Sequence, residues 1–164
     1  MKIRLEILRN LEVREFEPGG IMVHEGTPSS GELFFLRSGS VEVVKENGVR
    51  VATISEPGGV IGEISLLAGV HHTATVQATT TVSCFVATDG LAFLRSCPDA
   101  MLAVGQLLAQ RLSMATAFLA DIKRQYEGAA TSLAMLDEVL DSLTHHPAHD
   151  ASELGSDRPD VAGM

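Results

Sequence analysis

Between Leu11 and Thr88 the chain is punctuated by turn sequences about every ten residues: Pro18-Gly-Gly20, Gly26-Thr-Pro28, Gly39, Asn47-Gly48 and Pro57-Gly-Gly59. Breakers at that interval leave room for short strands and none for helices of ordinary length, the spacing of a sandwich or barrel. Asn47-Gly48 separates VEVVKE from VRVATI. Both turn residues tolerate positive φ, so a tight hairpin is expected there. The later segments ATVQAT and SCFVAT are rich in Val and Thr, which suit a pleated, half-buried surface. This part of the chain predicts a compact antiparallel β structure.

The character changes at Pro98 and Asp99, which mark a helix start. Leu112, Ala115, Leu119, Ile122, Tyr126, Ala129, Leu133, Leu136, Leu140 and Leu143 then follow alternating steps of three and four. That is a heptad seam, as in a coiled coil or a helix docked along a partner. Two continuations are open. An unbroken helix from Asp99 to Leu143 would be about 65 Å long at 1.5 Å per residue. Alternatively Gly128 ends one helix and Thr131–Leu143 folds back as another, a hairpin burying the same leucines.

These boundaries give a β domain over 1–98, a C-terminal lid or dimerisation helix over 99–143 and a tail over 144–164. The tail, HHPAHDASELGSDRPDVAGM, has almost no large apolar residues and is expected to be disordered. His145, His146 and His149 lack Cys or carboxylate ligands at fixed spacing, so the tail reads as solvated rather than metal-binding.

Charge separates the parts as well. Of the net −9, residues 127–164 hold −7, with Arg158 their only base, and residues 1–126 hold −2. An acidic end repels nucleic acid, and no pair of short basic helices follows Tyr126, so direct DNA binding is not expected. No run of about 18 apolar residues occurs, so no membrane segment is expected. The N-terminal MKIRLEILRN has no signal-peptide apolar region. Cys84 and Cys97 are too few for a disulfide framework and fit a reducing cytoplasm as buried, inert thiols. No Ser-His-acid or Cys-His arrangement suggests catalysis, so the chain is not expected to be an enzyme.

The segment Gly62–Val76, GEISLLAGVHHTATV, carries the chemistry. A Gly-Glu followed by a short helical turn offers unpaired amides and a local dipole to a phosphate or carboxylate. Glu63 is out of place there unless it accepts hydrogen bonds from ligand hydroxyls, the logic of nucleotide recognition. The plainer reading is a surface turn with a capping Glu. His71 and His72, adjacent in an extended segment, point to opposite faces and cannot share one ion.

This segment resembles the phosphate-binding cassette of the cyclic nucleotide-binding domain, the family of the bacterial catabolite activator and the protein kinase A regulatory subunit. Gly62-Glu63-Ile64-Ser65-Leu66-Leu67 and Thr73-Ala74-Thr75-Val76 match its pattern around a variable gap. GGIMVHEGTPSSGELFFLRSGSVEV is similar to the family's opening strands, and FLRSCPDAMLAVGQLLAQRL to its hinge and following helices. The resemblance covers about residues 12–126. It implies an α+β fold, an antiparallel β-roll of jelly-roll type followed by C-terminal helices, the last long and coiled-coil-like. It implies a site at Gly62, Glu63, Ile64, Ser65, His72, Thr73 and Ala74. Glu63 would take the ribose 2′-hydroxyl. Amides near Ile64, Ser65 and Thr73, with the Thr73 hydroxyl, would hold the cyclic phosphate of cAMP or cGMP. Residues near Arg111–Arg124 would cover the base.

His72 departs from the family, which has Arg at that position. Losing a charge-assisted pair costs about 1.5–3 kcal/mol, a weakening of roughly 10- to 150-fold. A protonated His72 would replace part of the charge, its pKa raised by the phosphate, so affinity would strengthen as pH falls. Three readings follow: a cytoplasmic cyclic nucleotide sensor, homodimeric through its C-terminal helix; a degenerate pocket kept as a dimerisation or interaction scaffold; or a Crp/Fnr-type transcription regulator lacking its DNA-binding domain.

Overall fold

The computed structural model describes residues 3–126 and 132–144. Met1–Gln110 form one compact unit. It contains strands β1 (Glu12–Phe16), β2 (Ile21–Val23), β3 (Leu33–Ser38), β4 (Val41–Val44), β5 (Arg50–Ile54), β6 (Val60–Ile61), β7 (Thr75–Ala78) and β8 (Val82–Ala87). They form two antiparallel four-stranded sheets, ordered β1-β8-β3-β6 and β2-β7-β4-β5. The chain alternates between the sheets over its first four strands, which rolls them face to face. The expected antiparallel β-roll followed by helices is the fold of this chain.

The β4–β5 turn forms where Asn47-Gly48 predicts it, but only Gly48 takes positive φ, at 80°. Gly48 N donates to Lys45 O at 2.8 Å. This is a wider turn closed by one left-handed glycine, and the ladder shifts register between Val43 and Val44.

Strands β3 and β8 show why the sequence lacks clean alternation in its centre. Leu33 and Phe35 join Phe85, Leu94, Ala100 and Val104 in a core against the helices. Phe34 and Leu36 join Val82, Cys84, Val86 and Val76 in a second core between the sheets. All six residues of β8 are buried. A strand covered on both faces reads as a continuous apolar run. Cys84 is buried here, and burial pushes its thiol up to about 12, so it stays protonated.

Three helices belong to this unit in whole or part: α1 (Glu63–Ala68), α2 (Gly90–Ser96) and the start of α3 (Pro98–Gln125). Asp89 caps α2, accepting from Ala92 N at 2.9 Å. A Cβ at Gly90 would come within 2.6 Å of Leu66 Cδ2 and 2.9 Å of Leu33 Cβ. Only glycine lets α2 begin against α1 at that distance. By length and composition alone α3 is apolar enough to cross a membrane, its most apolar 18-residue window having a mean hydropathy of 1.2, although the sequence has no unbroken apolar run of that length. Its opening turns bury Ala100, Ala103 and Val104 in the helix-side core instead.

The second unit, from Arg111 onward, holds the rest of α3 and α4 (Ser132–Thr144). Lys123 and Asp137 form an ion pair. Fourteen residues of continuous helix would separate them by about 21 Å. Lys123 and Asp137 therefore do not lie on one continuous helix, and α3 and α4 are separate helices. Gly128 lies outside the described residues, as does the tail from His145.

Candidate functional site

The cassette is built around two glycines. Gly62, at φ 93°, turns the chain from β6 into α1, and Gly69, at φ 66°, ends α1 seven residues later. Either position strains any residue with a Cβ. Gly62 O accepts from Leu66 N at 3.1 Å, closing the first turn. Glu63 follows at 3 % exposure and Ser65 is equally buried. A buried carboxylate and hydroxyl in the first turn of a six-residue helix are not a solvated cap.

His72 is buried with them. Its Nδ1 lies 2.9 Å from Ser65 Oγ, seven residues earlier, and Ser65 Oγ is also 3.2 Å from Gly62 O. The hydroxyl therefore links the helix start to the far limb of the cassette. The backbone of the same residue is fixed twice more: His72 N donates to Thr27 O at 2.9 Å, and Gly26 N donates to His72 O at 2.8 Å. Desolvation, and then the neighbouring His71, hold the His72 pKa below its ordinary value. The ring is neutral at pH 7 and braces the cassette from inside.

Of the other residues expected in the site, Gly62 and Ala74 are half-buried, while Ile64 and Thr73 are exposed. A cavity of about 330 Å³ opens beside the cassette, between Pro28, Ser29 and Gly31 on one side and Ser65, Val70 and His71 on the other. Of the seven expected site residues only Ser65 lines it. Among the described residues no group of three or more His, Cys, Asp or Glu is placed to hold a metal ion.

Two charged residues not anticipated from the sequence meet the cassette limb. Lys45, just beyond β4, donates to Thr73 O and pairs with Glu25. The Glu25 carboxylate also accepts from Glu46 N at 2.5 Å, and Glu25 N donates to Thr75 Oγ1 at 3.0 Å. The Lys45 hydrogen bond holds the Glu25 carboxyl below the usual carboxylate range. One signal was available: Val41, Val43 and Lys45 alternate onto one face of β4.

Compared with known proteins, residues 13–92 match the family model described as Cyclic nucleotide-binding domain. A cyclic nucleotide-gated potassium channel of Mesorhizobium japonicum, mll3241, is 37% identical over 81 residues, 49% of this chain and 21% of that protein. The HTH-type transcriptional regulator Cmr of Mycobacterium tuberculosis is 29% identical over 161 residues, 94% of this chain and 65% of the regulator. The chain thus spans less than two thirds of either relative. Among solved structures, the catabolite activator protein of Thermus thermophilus aligns with a TM-score of 0.59 at 23% identity, covering 84% of this chain and 80% of that one.

Proposed function

We propose that this chain, whose residues 13–92 belong to the cyclic nucleotide-binding domain family, is a non-enzymatic regulatory protein that takes cAMP or cGMP into its β-roll and signals through the helices that follow. The observation that carries this reading is the buried first turn of α1, where Glu63 and Ser65 sit behind the left-handed Gly62. Glu63 takes a ribose hydroxyl, and the amides near Ile64, Ser65 and Thr73, with the Thr73 hydroxyl, take the cyclic phosphate. Occupancy acts on the helices to the extent that the ligand prefers one of their positions over another. The names of the two relatives fit a regulatory role: one is a cyclic nucleotide-gated potassium channel and the other a transcriptional regulator.

The same proposal makes the chain a homodimer through its C-terminal helices. Met114 and Phe118 on α3 and Met135, Val139 and Leu143 on α4 are exposed and recur every four residues along their helices, and apolar surface of this kind suits a partner. The acidic C-terminal part disfavours direct DNA contact. Unpaired Cys84 and Cys97 suit a cytoplasmic setting.

Calorimetric titration with cAMP and cGMP at pH 6 and pH 8, on the wild type and His72→Arg, tests the reading. Micromolar binding by the wild type is expected, tightened roughly 10- to 150-fold by arginine. Binding by the arginine variant alone would assign the cradle to another anion. A second reading, a scaffold with an abandoned pocket, is favoured by the inward pairing of His72 with Ser65. Silence from both proteins would establish it.

A further inference from the structure

An anionic ligand at this cassette is best met by a cation, and the residue at the family's arginine position does not supply one. His72 is buried against Ser65 and neutral. The structure brings a different positive charge to the same limb, from β4.

The register explains how. Val41 pairs with Ala78, Val43 with Val76 and Val44 with Thr75. Val41 and Val43 pack in the core between the sheets, and alternation continued one residue past β4 puts Lys45 on their side, at the rim of that core with its side chain 40 % exposed. Its ammonium donates to the carbonyl of Thr73, one residue past the position where the family carries arginine. The other partner is the Glu25 carboxylate, only 15 % exposed, which is also held by Glu46 N. A protein carboxylate therefore sits on the ammonium beside the cassette, as a ligand anion would. An ammonium has three rotatable donors on a flexible stem, so it can pass from a carboxylate to a phosphate oxygen without moving the backbone.

We infer that Lys45 is the cation that meets the ligand's anionic group, in place of the arginine absent at position 72, and that Glu25 occupies it until the ligand arrives. This rests on the proposed binding of a cyclic nucleotide. It also implies an affinity that changes little between pH 6 and pH 8, because Lys45 stays charged across that range. A His72-borne charge would instead strengthen binding at the lower pH.

The test is cAMP titration of the wild type, Lys45→Met and Lys45→Arg, with thermal melts to confirm that each is folded. Lys45→Met is expected to lose about 10-fold or more in affinity, and Lys45→Arg to stay within a few-fold of the wild type. Equal affinities for wild type and Lys45→Met would overturn the inference and leave the nucleotide reading standing. If the wild type bound no cAMP, that reading would fail by itself, and the comparison would move to the His72→Arg background. A further loss there on adding Lys45→Met sustains Lys45 as the anion's partner. No loss, or no binding, overturns it.

Discussion

His72 shows how one side chain answers two questions differently. Its position in the cassette and its departure from arginine both followed from the resemblance of 62–76 to the family's cassette. Its surroundings did not, because Ser65 Oγ, Thr27 O and Gly26 N converge on it only once the 24–27 turn has folded against the cassette. Burial lowers its pKa in the folded chain below the unfolded value of about 6.5. As pH falls, the unfolded chain takes up this proton first. The stability contributed by neutral His72 is thus complete above about pH 6.5 and is lost as pH drops towards the folded pKa. Thermal melts between pH 5.5 and pH 7.5 should show a shallower slope for His72→Gln than for the wild type. An unchanged slope would detach the pH response from this ring. Lys45 escaped the sequence reading for a related reason: Thr73 is 28 residues away, and strand pairing alone joins them.

At the scale of elements, strands were legible as a class and helices as a stretch, and what blurred was topology. Turn spacing cannot say which sheet a strand joins. Here β8 lies between β1 and β3, in the sheet opposite its sequence neighbour β7. The seam leucines are periodic in the sequence, yet periodicity is the same whether a helix continues or a second helix follows. The ion pair between Lys123 and Asp137 decides against one continuous helix, although an exposed pair of this kind adds at most about 1 kcal/mol. Leu119, Ile122, Leu136 and Leu140 are half-buried, while Phe118 is 66 % and Met135 74 % exposed. If that exposed apolar surface is the dimer face, Phe118→Glu should give a monomer in sedimentation velocity at concentrations where the wild type is a dimer. The β-roll should melt at nearly the same temperature. A wild type that sediments as a monomer would end the homodimer proposal.

For the molecule as a whole, the start of the long helix at Pro98 was visible in the sequence. The compact units divide later, between Gln110 and Arg111, because the opening turns of α3 are buried in the helix-side core. The joint that matters mechanically was not visible in the sequence. It lies between α1 and α2, where Gly90 sits against Leu66 and Leu33. Adding a methyl group there is overpacking and should cost about 1–3 kcal/mol. Urea denaturation of Gly90→Ala would measure it, and an unchanged midpoint would mean that the joint has slack. A train of parts with clearance at one bearing loses small motions to backlash. Here the clearance at Gly90 is smaller than a methyl group, with Leu66 of α1, Leu33 of β3 and the Gly31 carbonyl all at its edge. A push of α1 towards α2 therefore meets contact at once, and only the Leu66 side chain is free to yield.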